Sequence, residues 1–201
     1  MPRKTPPPQR GSARERLLAA AASLFYEEGV NTVGIDRVIE RAGVAKASLY
    51  DCFGSKDELV RSYLEARHEA RRARITQGLA RYRTPKQRLL GVFDLLGELF
   101  AESNFRGCAF VRASAELRPG SKVKAVCDDS RGWVRTLFAE LAKDANAMHP
   151  ERLAQQLVIL YDGATVAAQM DHDAGAAAAA RAVAAALLEA DIRPVRLTGS
   201  G

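Results

Sequence analysis

Apolar residues recur along this chain at helical spacing. No alternating strand pattern bounded by hairpin turns appears, so the pattern predicts an all-helical protein. Leu17, Leu18, Ala21, Ala22, Leu24 and Phe25 give one apolar face to a helix over about residues 13–28. Ser12 and Glu15 frame its start as a capping box, and Gly29 ends it. Ile35, Val38, Ile39 and Ala42 form the apolar face of a second, short helix that Gly43 can stop. Val44, Leu49 and Phe53 face inward from a third helix ending at Phe53, leaving Lys46, Ala47, Ser48 and Tyr50 outward. Ser55 and Glu58 form another capping box, opening a long fourth helix with Leu59, Val60, Tyr63 and Leu64 as its buried stripe.

The remaining elements follow the same signals. Thr84-Pro85-x-Gln87 starts a fifth helix that carries Leu89, Leu90, Val92, Phe93, Leu95, Leu96, Leu99 and Phe100, apolar nearly all round and therefore central. A sixth helix is expected over about residues 108–117. A seventh begins near Ser121, with a bend expected around residues 128–132, and runs to about residue 147. Pro150 opens an eighth, ending near Met170. Asp173 is a candidate cap for a ninth over about residues 174–190 that is mostly alanine, a strong helix former. The count is about nine helices.

Two short helices joined by a tight turn are a helix-turn-helix, which places its second helix in the major groove of DNA. The residues Arg41-Ala42-Gly43-Val44-Ala45-Lys46-Ala47-Ser48-Leu49-Tyr50, then Phe53 and Ser55-Lys56-Asp57-Glu58-Leu59, resemble the DNA-binding signature of TetR/AcrR-type regulators. The resemblance spans about residues 12–63. Asp51 and Cys52 depart from it, standing where the family often carries His, Tyr or another neutral or basic residue. An acid there is repelled by phosphate, yet can accept a hydrogen bond from a cytosine amino group. Weaker likeness to the family's regulatory domains appears in GCAFVRASAEL and LYDGATVAAQ.

The resemblance implies an N-terminal three-helix helix-turn-helix domain, residues 1–55, and a C-terminal effector-binding and dimerisation domain, residues 56–201. It implies a transcriptional regulator, more often a repressor, that leaves DNA when a small effector binds. Thr32, Lys46, Ala47, Ser48, Tyr50 and Lys56 are the candidate DNA contacts. Lys46 and Tyr50 reach phosphate or a base edge, Ala47 and Ser48 allow close approach to bases, and Thr32 and Lys56 lie by helix starts where phosphate is bound. Leu64, Phe93, Leu96, Phe100, Phe110, Trp133, Leu137, Tyr161, Thr165 and Gln169 are the candidate effector lining, with Arg112 or Gln169 orienting a polar end. Ordinary core packing competes with that role for every apolar member.

Charge supports a nucleic-acid partner. The N-terminal arm is basic and proline-rich, and Arg3, Lys4 and Arg10 are candidates for the minor groove. Arg14 and Arg16 add to its charge, and residues 67–88 hold eight Lys and Arg against Glu69 alone. A solvated helix face competes with DNA attraction as the reading of that run. Small and apolar residues on the eighth and ninth helices, Ala164, Ala167, Ala168 and the 176–186 region, exceed what one core uses and predict a two-fold homodimer.

Cys52, Cys108 and Cys127 are odd in number, widely spaced and without a zinc pattern, which suits a reducing, cytoplasmic setting. No apolar run reaches the roughly 18–20 residues that span a bilayer. Cys108 follows Gly107 at a helix start near Arg106, and both a helix N-terminus and a cation favour thiolate, so oxidant or electrophile sensing is an alternative trigger. A DNA-binding protein without any effector is a third reading. No glycine-rich phosphate loop or nucleophile motif appears, and Asp171-His172-Asp173 points its side chains in different directions. Neither an enzyme, a metal site nor a cofactor is expected.

Overall fold

The computed structural model describes residues 11–116 and 121–192. The candidate minor-groove residues Arg3, Lys4 and Arg10 lie outside the described residues. Within them the chain forms nine helices: α1 (Ala13–Glu28), α2 (Ile35–Ala42), α3 (Lys46–Phe53), α4 (Lys56–Leu79), α5 (Pro85–Phe100), α6 (Ala109–Glu116), α7 (Lys122–Asp144), α8 (Pro150–Met170) and α9 (Ala176–Asp191). Extended pairing among the described residues is confined to one antiparallel bridge between Ala147 and Ile192.

The expected start signals are present where their partners are local. Ser12 and Glu15 close a reciprocal capping box on α1, as do Thr84 and Gln87 on α5. Ser55 accepts from the Glu58 N–H at 3.2 Å, but the Glu58 carboxylate turns instead to Arg61 at 2.6 Å and Lys122 at 3.2 Å. A charged partner outcompetes the backbone N–H for a carboxylate. Asp173 accepts from Gly175 N–H at 2.7 Å, a local turn, and Gly175 is the residue that precedes α9. α7 runs as one continuous helix through residues 128–132.

The chain divides into two compact units. One holds the chain up to Arg67 together with Ala109–Cys127; the other holds His68–Cys108 and the chain from Asp128. This division falls later than the functional boundary expected at residue 55. The first half of α4 and all of α6 group with the helix-turn-helix because side chains tie them there. The Tyr63 ring meets Phe25 edge-on at 5.6 Å, and Arg112 of α6 donates to the Tyr26 carbonyl at 2.7 Å.

In the second unit α5 packs against both α8 and α9. Leu89, Val92, Phe93, Leu95 and Leu96 are buried there, as the all-round apolar pattern of α5 predicts. Phe93 stacks tilted on Phe138 at 5.7 Å, and Phe138 meets Tyr161 edge-on at 6.1 Å. Ala164, Ala168, Ala177, Ala180 and Ala184, expected at a subunit interface, belong to this core. Small side chains let α5, α8 and α9 approach closely, so these five alanines are used within the subunit, whereas Ala178, Ala179, Ala182 and Ala186 of α9 are exposed. The turn before α8 is held by Asp191, buried at the end of α9, which accepts from the His149 N–H at 2.9 Å and from Arg152 at 2.9 Å.

Candidate functional site

The first unit is assembled around α1, which packs on both α2 and α3. Leu17, Leu24, Val38 and Leu49 are fully or almost fully buried. Gly43 ends α2 in the left-handed region (φ 62°, ψ 43°), which a side chain would strain, and its N–H bonds back to Glu40 and Ile39 carbonyls. Arg16, expected among the basic charges of the arm, donates instead to the carbonyls of Ala42 and Gly43 at 3.4 and 3.2 Å. A guanidinium at a helix C-terminus satisfies carbonyls the helix leaves open and complements its dipole. Arg14 likewise lies over the Phe53 ring, 5.0 Å from its centroid. Both cations thus fix the turn and α3.

α3 begins at Lys46 without a side-chain cap; the Ser48 N–H bonds back to the Ala45 carbonyl at 3.0 Å, which leaves those of Lys46 and Ala47 for an outside acceptor. Leu49 and Phe53 bury its inner face, and Val44 is half-buried just before it. Its outer side carries Lys46, Ala47 and Tyr50, all exposed, with Ser48 half-buried. Thr32 is exposed in the connection before α2, and Lys56, half-buried, opens α4. Lys46 reaches back to Asp36 of α2 at 3.0 Å. That carboxylate holds the ammonium above its ordinary lysine value, so the cation stays charged at any physiological pH. No local signal marks this pair, whose members stand ten positions apart across the turn. Arg37 is bound to Glu28 across α1 and α2, a pairing that accounts for it structurally.

Behind this surface α6 grips the end of α1. Phe25, Gly29, Val30, Tyr63, Ala109, Arg112 and Ala113 line a small recess. Arg112, expected to orient an effector, donates to the Tyr26 carbonyl in the last turn of α1. Arg67 lies over the Tyr26 ring at 3.9 Å. Substituting Arg112→Met keeps the aliphatic stem and removes the donor to the Tyr26 carbonyl. We expect a loss of about 1–2 kcal/mol in the unfolding free energy, read from the denaturant midpoint at unchanged slope.

The candidate effector residues are divided between the two units. Leu64 and Phe110 belong to the first unit; the other eight belong to the second. There Phe93, Leu96, Phe100 and Tyr161 are core, with Trp133 and Leu137 packed against it half-buried. The Thr165 hydroxyl is spent within α8, donating to the Tyr161 carbonyl at 2.8 Å. Gln169 is exposed, its amide lying where a Cβ on Gly107 would stand. Around Trp133 polar groups gather. The His68 ring meets it edge-on at 5.9 Å, and Arg71 and Arg72 lie over it, each 5.9 Å from the centroid. Buried Ser130 accepts from Arg71 and contacts His68 Nδ1 at 3.1 Å. Burial pushes the Tyr161 phenol above its ordinary value, with Arg71 opposing and Cys108 adding to the shift. Cys108 is half-buried immediately before α6, and Arg106 turns its guanidinium to the Ser103 and Phe105 carbonyls. Among the described residues no cluster of His, Cys, Asp and Glu could hold a metal ion, and no helix is long and apolar enough to cross a membrane.

A three-helix head with a glycine-turned helix pair and an uncovered second helix defines a helix-turn-helix DNA-binding protein. Residues 17–63 match the model for bacterial regulatory proteins of the tetR family. A TetR-family transcriptional regulator from Streptomyces coelicolor shares the fold with a TM-score of 0.85 and 30% identity, over 90% of this chain and 96% of that one. The transcriptional repressor NemR of Escherichia coli is 27% identical over 172 residues, 79% of this chain and 85% of NemR. The crystal structure of NemR in its reduced form superposes with a TM-score of 0.76 at 25% identity, covering 86% of this chain and 94% of NemR. The protein belongs to the TetR family of transcriptional regulators.

Proposed function

We propose that the protein is a homodimeric, ligand-released repressor whose α3 reads a near-palindromic operator in double-stranded DNA. The observation that carries this reading is the outer face of α3, uncapped at its start and bearing Lys46, Ala47, Ser48 and Tyr50 over a buried Leu49–Phe53 face. Lys46, Thr32 and Lys56 contact phosphate, Tyr50 a phosphate or base edge, and Ala47 and Ser48 let bases approach. The dimer forms through α8 and α9. Ile159, Val166 and Met170 are exposed at 70, 43 and 73% and recur at helical spacing, with Val183 of α9 exposed at 48%. They join the exposed alanines of α9, Ala178, Ala179, Ala182 and Ala186, in that interface. The protein works in the cytoplasm.

An effector held by the second unit acts through α4, whose first half belongs to the head and whose second half carries His68, Arg71 and Arg72. The coupling can be no larger than the effector's difference in affinity for the two arrangements of α4. The aromatic content of the body, Phe93, Phe100, Trp133 and Tyr161, favours an apolar or aromatic molecule of modest size. Release of a bound duplex by candidate ligands tests this. Trp133 is the single tryptophan of the chain and lies beside His68, so its fluorescence reports occupancy directly.

Thiol chemistry is the second reading. It is favoured by Cys108 sitting half-buried immediately before α6, and by the existence of a reduced form of NemR. Cys108→Ser separates the two. Under the pocket reading, ligand-induced release and the Trp133 response survive the substitution. Under the thiol reading, release by an electrophile such as N-ethylmaleimide disappears. Firm operator binding that neither class of molecule relieves points to a DNA-binding protein without an effector.

A further inference from the structure

The single acid of α3 stands at the centre of its outer face. An α-helix turns about 100° per residue, so Leu49 and Phe53, both buried, fix the inward direction. Asp51 falls opposite their bisector, with Ala47 about 40° to one side and Ser48 about 60° to the other. Asp51 is exposed, and among the described residues its carboxylate takes part in no hydrogen bond or ion pair. Lys46, the only cation in the helix, is drawn to Asp36 instead. The surface that meets a polyanion is therefore nearly charge-neutral along α3, with a bare carboxylate at its midpoint.

A carboxylate accepts hydrogen bonds and donates none. In the major groove, cytosine offers its N4 amino donor, whereas guanine offers acceptors at N7 and O6. Thymine shows an acceptor and a methyl group, and adenine pairs its N6 donor with an N7 acceptor beside it. Repulsion from phosphates weakens every sequence by a similar amount, and the cytosine amino group returns part of that loss. Ala47, one turn before Asp51 and reduced to a methyl group, leaves room for the base edge to approach. A group that penalises all sequences and relieves only one base confers selectivity at the expense of affinity.

We propose that Asp51 selects cytosine at one position of each operator half-site. The proposal rests on α3 being the helix that enters the major groove. The probe is a randomised duplex library, from which the full-length wild type, Asp51→Asn and Asp51→Ala each select their preferred sequences. Asp51 is exposed, so all three should melt at similar temperatures. Wild type is expected to enrich a motif with a cytosine repeated by two-fold symmetry. Replacing that cytosine by thymine should cost the wild type about five- to tenfold in affinity, in the lower part of the range for base contacts. Asp51→Asn should shift the position to adenine, which asparagine reads through N6 and N7. Asp51→Ala should lose the preference without gaining another. Both variants should bind unrelated duplexes more tightly than wild type.

If both variants recover the wild-type motif, cytosine included, with only a uniform gain in affinity, Asp51 is an electrostatic brake and the proposal is overturned. If the wild type enriches no motif at all, the reading of α3 as a sequence-specific helix falls and takes the proposal with it. If the wild type enriches a motif lacking a symmetric cytosine, that reading stands and the Asp51 assignment alone is lost.

Discussion

Replacing Lys46 and Tyr50 together by alanine is expected to weaken operator binding about tenfold or more while leaving the melting temperature nearly unchanged. Both side chains are turned to solvent: Lys46 is 58% exposed and Tyr50 46%, and neither belongs to the core that holds α3 to α1. Lys46→Ala alone should reduce the slope of log affinity against log salt by about one unit, because one phosphate contact and its released counterion are lost. It should do so on specific and unrelated duplexes alike. Asp36 sharpens the expectation. Removing Lys46 leaves that carboxylate unpaired beside the phosphates, so Lys46→Ala should be more harmful than loss of one contact, and adding Asp36→Ala should restore part of the affinity. A double-mutant cycle on a selected duplex at two salt concentrations measures this coupling.

The second large effect concerns assembly. Ile159 and Met170 lie eleven positions apart on α8, three helical turns, and are the most exposed large apolar side chains among the described residues. Gly163, where an added Cβ would meet nothing within 4 Å, falls between them on the same face. Changing Ile159 and Met170 to Glu places two charges from each subunit where an apolar contact is proposed. Burying an unpaired carboxylate is strongly unfavourable, so the dimer should dissociate to monomers at micromolar concentration by sedimentation. Each monomer keeps its core, because neither residue contributes to it. Operator affinity should nonetheless fall by about a hundredfold or more, since two linked heads gain from effective concentration and a single head does not. A double-Glu variant that remains a dimer would move the interface elsewhere.

What could be read from the sequence was local. Ser12 with Glu15, Gly29, Gly43, Pro85 with Thr84 and Gln87, and Pro150 each act within one helical turn, and each marks an end that the structure shares. What could not be read depends on distant partners. The bond from Arg112 to Tyr26 joins residues 86 positions apart, and Lys122 draws Glu58 from its capping box across 64. Arg16, 26 positions from Ala42, becomes a cap only after α1 and α2 have packed. Helical periodicity marked the alanines of α8 and α9 as packed but could not say against what. Buried alanine within a subunit and buried alanine between subunits have the same pattern, and burial in the monomer decides it for Ala164, Ala168, Ala180 and Ala184, while Ala178, Ala179, Ala182 and Ala186 are exposed. The outward residues of α3 were legible because Leu49 and Phe53 fix its inner face. The effector lining was less so, since a core aromatic and a ligand-contacting aromatic satisfy the same spacing.

A dimeric repressor of this kind needs two copies of α3 held at a fixed separation on one face of the duplex. Half-sites about 34–36 Å apart, one helical turn, meet that requirement. The most direct test is the affinity of the full-length protein for its selected duplex before and after about five base pairs, half a turn, are inserted between the half-sites. The insertion rotates one half-site to the far side of the helix without changing a contacted base. Affinity should fall by about tenfold or more, with protection by footprinting confined to one half-site at a time. Equal affinity for the two duplexes, with both half-sites still protected together, would contradict it.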